Sequence, residues 1–164
     1  MRFLVPLLFL LGAEGTQELS IQYEKPSSFP GVPSLVVKEL EKRKCSIPQA
    51  VELKRPNNLI RGQFLRRRQT TWAALCSIGG ESRIIVLGLQ GEILVTSLAE
   101  GKDSDSRAIF SAKPDGIRAA DRALGNPEPL PPLDHDGIQD AIVGKASSIH
   151  YFYRGKWLEL AGSD

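Results

Sequence analysis

Four short apolar runs in the middle of the chain constrain its fold most strongly. The runs are rich in Ile, Val, Leu and Trp, and they are separated by Arg66-Arg67-Arg68, by Gly79-Gly80 and by other turn-forming residues. Runs of this length with such breaks are typical of strands joined by hairpins. The predicted strands are 59–65, 71–77, 82–89 and 92–98. The pattern therefore predicts an antiparallel meander.

A second strand-rich block lies near the C-terminus. Its predicted strands are 141–145, 148–153 and 156–160. A helix is predicted over 35–44 with Ser34 as its N-cap, and a second helix over 114–124. With a further strand over 107–112, the fold class is α+β: mainly antiparallel sheet in two meander blocks, with two short helices.

The first fifteen residues have the pattern of a signal peptide. A positive charge at Arg2 precedes an apolar stretch over 3–11, and small residues stand before Thr16. This stretch is far shorter than the roughly 20 residues that a membrane-spanning helix needs, so export is predicted, to the periplasm or the exterior. The predicted division is a signal peptide at 1–15, an extended N-terminal arm at 16–33 and a single globular α+β domain at 34–164.

Cys45 and Cys76 are the two cysteines of the chain. In an exported protein they favour one disulfide, and two buried free thiols are the alternative. The bridge would close a loop of about 30 residues, for which the chain-entropy model gives roughly 3–4 kcal/mol. It would join the first predicted helix to the strand at 71–77.

The formal net charge of +2 at pH 7 gives no indication of nucleic acid as a partner. No span of the mature chain indicates a membrane partner, and a monomer is expected. The run Arg66-Arg67-Arg68 has two interpretations. It is either a charged hairpin tip that protects a strand edge or a contact for an anionic glycan.

The segment from Asp134 to Asp140 is the one stretch with the pattern of a binding site. Carboxylates at Asp134, Asp136 and Asp140 around Gly137 are typical of a turn that folds around a hard cation, with the glycine supplying the backbone angles of the turn. Calcium prefers about six to eight oxygen ligands, so the hypothesis is one weak calcium site. The alternative is an Asp-rich turn held by its own backbone hydrogen bonds.

This acidic segment resembles the calcium loop of the integrin-type FG-GAP repeat, a blade unit of secreted β-propellers. Asp134, Asp136, Gly137 and Asp140 match the third, fifth, sixth and ninth loop positions, whereas Pro132 stands where the family has an acid. The resemblance implies a turn between buried strands, with calcium as its ligand.

An earlier segment resembles the start of such a loop through Gly62 and Phe64. Arg67 occupies one of its ligand positions, so this first segment implies no calcium. One or two units cannot close a propeller. The whole chain is also similar to a group of uncharacterised exported bacterial proteins, and that similarity implies no activity.

Catalytic patterns are weak in this sequence. The chain contains no Gly-x-Ser-x-Gly motif. Its two histidines, His135 and His150, are the two candidate bases for a catalytic triad. The predicted function is a small secreted binding module for an unknown protein or glycan partner, without a catalytic residue set. The alternative is a small secreted hydrolase with an unrecognised active site.

Overall fold

The computed structural model describes residues 21–90, 92–126 and 128–162. The predicted signal peptide and the start of the predicted arm lie outside these residues. The described residues form ten strands and two α-helices. The strands are β1 (Gln22–Glu24), β2 (Ile47–Gln49), β3 (Leu59–Gly62), β4 (Thr71–Ile78), β5 (Glu81–Gln90), β6 (Glu92–Lys102), β7 (Arg107–Ala112), β8 (Gly137–Ile142), β9 (Ala146–Tyr153) and β10 (Lys156–Ala161). The helices are α1 (Ser34–Lys42) and α2 (Pro114–Leu124).

The described strands form two four-stranded antiparallel meanders and one small two-stranded sheet. The first sheet has the order β3-β4-β5-β6, the second the order β7-β8-β9-β10, and β1 pairs with β2. This arrangement confirms the predicted α+β class, mainly antiparallel and with two helices. Neither helix in the described part of the chain is long and apolar enough to cross a membrane.

The two meanders pack face to face, and each carries a helix on its outer side. Strand β4 shows why: successive side chains point to opposite faces of a strand, and β4 is buried on both. On one face, Trp72 and Ala74 pack with Val36 and Leu40 of α1. The layers therefore run from α1 through the two sheets to α2.

The space between the sheets holds the central apolar cluster. Leu75 and Val86 of the first sheet belong to the same cluster as Ile109 and Ile138 of the second. The outer face of the second sheet packs on α2 through Ile117, in a further cluster. The two sheets thus share one apolar core between their facing sides.

Turn and capping signals account for several boundaries. Gly79 and Gly80 have φ angles of +67° and +87°, which suit the two-residue hairpin between β4 and β5. Helix α2 begins with Pro114 and ends before Gly125, whose left-handed conformation is typical of a helix C-terminus.

The predicted disulfide is confirmed. Cys45 and Cys76 are bonded with a Cα–Cα distance of 5.2 Å, and both are buried among the residues that pack α1 on the first sheet. The bridge joins the segment just after α1 to β4.

The start of α1 differs from the prediction. Ser34 does not cap the helix but is its first residue, and Pro33 is the N-cap. The reason is that the Pro33 carbonyl accepts the first helical hydrogen bond, from the amide of Val37 at 3.1 Å. The helix ends at Lys42, two residues earlier than predicted.

The described part of the predicted arm, 21–33, packs on the folded chain. Strand β1 pairs with β2, and Phe29 is buried beside Leu40 of α1. Burying an aromatic ring favours docking over an extended, solvated segment.

The acidic segment differs most from the prediction, because only its first half is a turn. Strand β8 begins at Gly137 rather than at residue 141, and Asp140 lies inside the sheet, opposite Ile109 on β7 and Ser148 on β9. Gly137 is required for close packing, since a Cβ there would lie 2.7 Å from Ile149 Cγ2.

One asparagine joins the two sheets at their common corner. Asn58 is 1% exposed, and its Nδ2 donates to the carbonyls of Pro48 at 2.7 Å and Arg107 at 3.0 Å. Its Oδ1 accepts from the amide of Ile109 at 3.0 Å. The side chain thus replaces a strand partner for β7, at the edge where the first sheet ends.

Candidate functional site

The inner face of the second sheet changes from apolar to polar along its strands. Asp140 is two residues beyond the buried Ile138, and His150 lies directly opposite Ile138. Glu159 lies opposite His150 on the next strand. Side chains two apart on a strand, or directly opposite across strands, share a face. These polar groups therefore point into the space between the sheets, beside the apolar cluster.

A buried ion pair anchors this polar end. Arg107 and Asp140 have side chains 8% and 14% exposed, and the guanidinium donates from Nε to Oδ1 at 3.0 Å and from Nη2 to Oδ2 at 2.7 Å. The same guanidinium donates to Ser82 Oγ at 2.7 Å and to the Ala99 carbonyl at 2.6 Å. The fork geometry of arginine suits such a two-point contact. It ties β5 and β6 of the first sheet to β7 and β8 of the second.

His150 is the third member of this cluster. Its side chain is 9% exposed, and its Nε2 lies 3.7 Å from Asp140 Oδ2, beyond hydrogen-bond distance. Among the residues that the structure describes, Nε2 has no hydrogen-bond partner although it is buried. Most buried polar atoms have a partner, so an exception calls for a physical explanation.

These groups form part of the wall of a cleft of about 430 Å³. The first sheet contributes the end of β6 from Ala99 to Lys102, and the second contributes Arg107, Asp140, Ser148, His150 and Glu159. The volume lies within the roughly 300–1,000 Å³ of small-ligand sites. The cleft is the open continuation of the inter-sheet core.

The Asp140 carboxyl is held ionised within this cleft. Burial raises its pKa, but the nearby His150 imidazole and the charge and hydrogen bonds of Arg107 outweigh burial, so the pKa of Asp140 lies below its ordinary value. A carboxylate with this environment can orient a neighbouring imidazole or accept a hydrogen bond from a ligand.

The lowered pKa of Asp140 predicts a loss of stability in acid. A group whose pKa is lower in the folded state stabilises the fold above its unfolded pKa of about 3.9, and this stability is lost as the pH falls through the folded value. We expect the free energy of unfolding to fall less steeply below about pH 4 in Asp140→Asn than in the natural protein. Asp115→Asn, at a side chain 98% exposed, should leave the slope unchanged. Urea denaturation at a series of pH values measures it, and equal slopes for all three proteins would contradict the assignment.

The other two predicted metal ligands lie in different surroundings. Asp136 is 4% exposed; its Oδ2 accepts from the Gln63 amide at 3.0 Å and from Lys113 Nζ at 2.8 Å. Asp136 also donates its own amide to the Gln63 carbonyl at 3.1 Å. This carboxylate therefore joins the β3–β4 connection to the start of β8.

Asp134 faces solvent, with a side chain 65% exposed. Its Oδ1 accepts from the Tyr151 hydroxyl at 3.3 Å. His135 stacks on the Tyr151 ring with centroids 4.4 Å apart, and its Nε2 lies 2.9 Å from the Phe152 carbonyl. His135 is thus a buried packing residue that contacts backbone carbonyls.

The three carboxylates of the predicted calcium loop differ in their contacts. Lys113 and Arg107 already provide positive charge to Asp136 and Asp140, and Asp140 lies in a strand. Within residues 21–90, 92–126 and 128–162, no group of three His, Cys, Asp or Glu side chains is placed to hold a metal ion.

The sequence analysis named one residue of this cleft, Asp140, and placed it in a turn, whereas it lies in strand β8. It considered His150 only as one of two histidines without a catalytic motif, and it did not identify Arg107. The available signal was the acidic residue two positions beyond an apolar strand residue, opposite another polar strand position. This pattern identifies a shared site only when the strand register is known, because the register determines which residues lie opposite each other.

The carboxylate, imidazole and guanidinium of this cleft are consistent with ligand binding or with acid–base chemistry. No protein-family model, curated protein or solved structure matches this chain.

Proposed function

We propose that the protein is an exported binding module whose ligand site is the inter-sheet cleft. The single observation that carries the proposal is that His150, a residue lining the cleft, has a buried Nε2 without a hydrogen-bond partner within the described residues. A ligand group that reaches Nε2 would remove the free-energy cost of this unsatisfied atom. The buried disulfide supports export, since such bonds persist in oxidising compartments.

The mixed lining of the cleft favours a neutral, hydroxyl-rich ligand, and we propose a sugar unit of a glycan. Lys102 offers donors, Glu159 offers acceptors and Ser148 offers both. A hydroxyl group can donate to a carboxylate and accept from an ammonium or an imidazole. A polyanion would meet the carboxylates of Glu100 and Glu159, and a cation would meet Lys102.

Saturation-transfer NMR with glucose, galactose, mannose and N-acetylglucosamine tests the proposal. We expect at least one of these sugars to bind. Glu159→Gln and His150→Gln should each weaken its affinity by about tenfold or more, which corresponds to the loss of one good hydrogen bond. Glu41→Gln, an exposed change on α1, is the control and should bind normally.

Two results would contradict this function. One is the absence of binding by all four sugars. The other is a sugar that binds the Glu159 and His150 variants as tightly as it binds the Glu41 control, since the ligand would then lie outside the cleft.

A small hydrolase is the second candidate, and the closeness of Asp140 to His150 favours it. A buried carboxylate beside an imidazole is the orienting half of a nucleophilic site. Ser148 stands two residues before His150 on the same face of β9. Among the described residues, however, His150 Nε2 receives no hydrogen bond from any hydroxyl, so we rank binding first. Turnover of chromogenic acetate esters that His150→Gln abolishes would reverse this order.

The calcium hypothesis for Asp134, Asp136 and Asp140 remains a prediction with its own measurement. Extracellular calcium modules bind at roughly 0.1–1 mM, and a ligand that binds only the folded state raises stability by mass action. Because Lys113 and Arg107 hold Asp136 and Asp140, we expect the same melting temperature in millimolar calcium and in chelator. A melting temperature that is higher in calcium than in chelator, with the difference abolished by Asp136→Ala, would show instead that the loop binds the ion.

A further inference from the structure

A groove on the α1 side of the first sheet has none of its lining residues in common with the inter-sheet cleft. Its volume is about 350 Å³, at the lower end of the range for small-ligand sites. The lining is mostly apolar, and it combines Phe29, Pro30, Val32, Pro56, Leu59 and Trp72. Such a surface suits a ligand with one apolar group.

Trp72 is one of the lining residues, and it holds an unsatisfied polar atom. The side chain is only 8% exposed, and within the part of the chain that the structure describes its buried Nε1–H has no hydrogen-bond acceptor. Buried indole N–H groups usually have a partner. An acceptor on the ligand, such as an amide carbonyl, would supply it.

Two cations complete the groove. Lys54 and Arg55 line it and are exposed, and neither forms an ion pair with an acidic side chain of the described residues. Adjacent positive charges at the rim of an apolar groove favour a ligand with a carboxylate beside its apolar group.

We propose that this groove binds the carboxyl-terminal residue of a peptide whose last side chain is apolar. The side chain occupies the apolar lining, the terminal carboxylate contacts Lys54 and Arg55, and the last amide carbonyl accepts from Trp72 Nε1. A fatty acid shares the apolar chain and the carboxylate. The peptide alone adds a second acceptor, which the Trp72 N–H requires.

The indole N–H resonance of Trp72 reports binding directly. The chain has two tryptophans, so in the Trp157→Phe variant the one remaining indole signal belongs to Trp72. On titration with N-acetyl-Ala-Leu we expect this signal to move downfield as the hydrogen bond forms. The carboxamide form of the same dipeptide should bind with an affinity lower by about tenfold or more, as expected for loss of a charge-assisted contact.

A charge-matched pair of double variants locates the carboxylate. Lys54→Ala/Arg55→Ala should weaken binding of N-acetyl-Ala-Leu by about tenfold or more. Lys145→Ala/Lys156→Ala removes two exposed charges, one in the turn between β8 and β9 and one on β10, and should leave binding unchanged. All four positions are exposed, so folding is expected to be retained.

Three results would overturn the proposal. The first is an indole signal that does not move. The second is equal binding of the acid and the carboxamide. The third is octanoate moving the Trp72 signal as far as the peptide does, because the groove would then be a site for fatty acids.

Discussion

Replacing Arg107 by methionine is expected to lower the free energy of unfolding by about 3–5 kcal/mol, the range for removing one partner of a buried ion pair. Because methionine fills a similar volume, the loss of stability arises from the missing charge and hydrogen bonds more than from packing. The Asp140 carboxylate, 14% exposed, is left without its two-point partner, and Ser82 Oγ and the Ala99 carbonyl each lose a donor. Urea denaturation measures the change.

Two controls separate the causes of this loss. Arg43→Met removes a partly exposed pair with Glu39 on α1 and should cost about 0.3–0.5 kcal/mol. Arg107→Met/Asp140→Leu removes both charges, and it should recover part of the loss because no carboxylate is left buried and unpaired. A loss for Arg107→Met no larger than that for Arg43→Met would show that the ion pair does not hold the sheets together.

Asn58→Ala should lower the free energy of unfolding nearly as much, by about 3 kcal/mol or more, because each buried group left unsatisfied costs about 1–3 kcal/mol. The substitution leaves the Ile109 amide and the Arg107 carbonyl without their side-chain partner. It also places alanine at a φ of +71°, a left-handed conformation that asparagine tolerates better.

Thermal and urea unfolding of three variants test the role of Asn58. Asn126→Ala, at an exposed asparagine after α2, should change stability by only about 0.5 kcal/mol or less. Asn58→Gly relieves the backbone conformation but still lacks the carboxamide, so it should remain strongly destabilised. If Asn58→Gly were as stable as the natural protein, backbone strain rather than the link between sheets would explain the effect.

The strands and the disulfide were predictable because their signals are local. The stretches 72–76 and 84–87 are apolar at every position, as expected for strands buried on both faces. Gly79-Gly80 marks the hairpin between them. Cys45 and Cys76 needed only the expectation of an oxidising compartment, so the tie between the first helix and β4 followed from the sequence.

The site was much less predictable, because its contacts join residues far apart in the chain. Asp140 lies in an acid-rich segment, and local spacing alone placed it in a cation-binding turn. An acid at the centre of a sheet is stable only with a partner, and that partner, Arg107, is 33 residues away. His150 was similarly hidden, because its position opposite Ile138 depends on the register of β8 and β9.

Gly137 illustrates the same limit. A glycine after two aspartates is a common turn signal, but here the residue lies in a strand and faces Ile149 at a distance that admits no Cβ. Sequence shows that a glycine is present. Only the packed structure shows whether its backbone freedom or its lack of a side chain is needed.

The most direct test of the inter-sheet cleft as the ligand site is a map of amide shifts in ¹H–¹⁵N NMR spectra. The map is recorded with an equimolar pool of glucose, galactose, mannose and N-acetylglucosamine at high concentration. The largest shifts are predicted at the end of β6, at Ser148 and His150 on β9 and around Glu159 on β10, and at the same sugar concentration they should be clearly smaller in His150→Gln. Shifts confined to other surfaces, or no shifts in the natural protein, would contradict the proposed site.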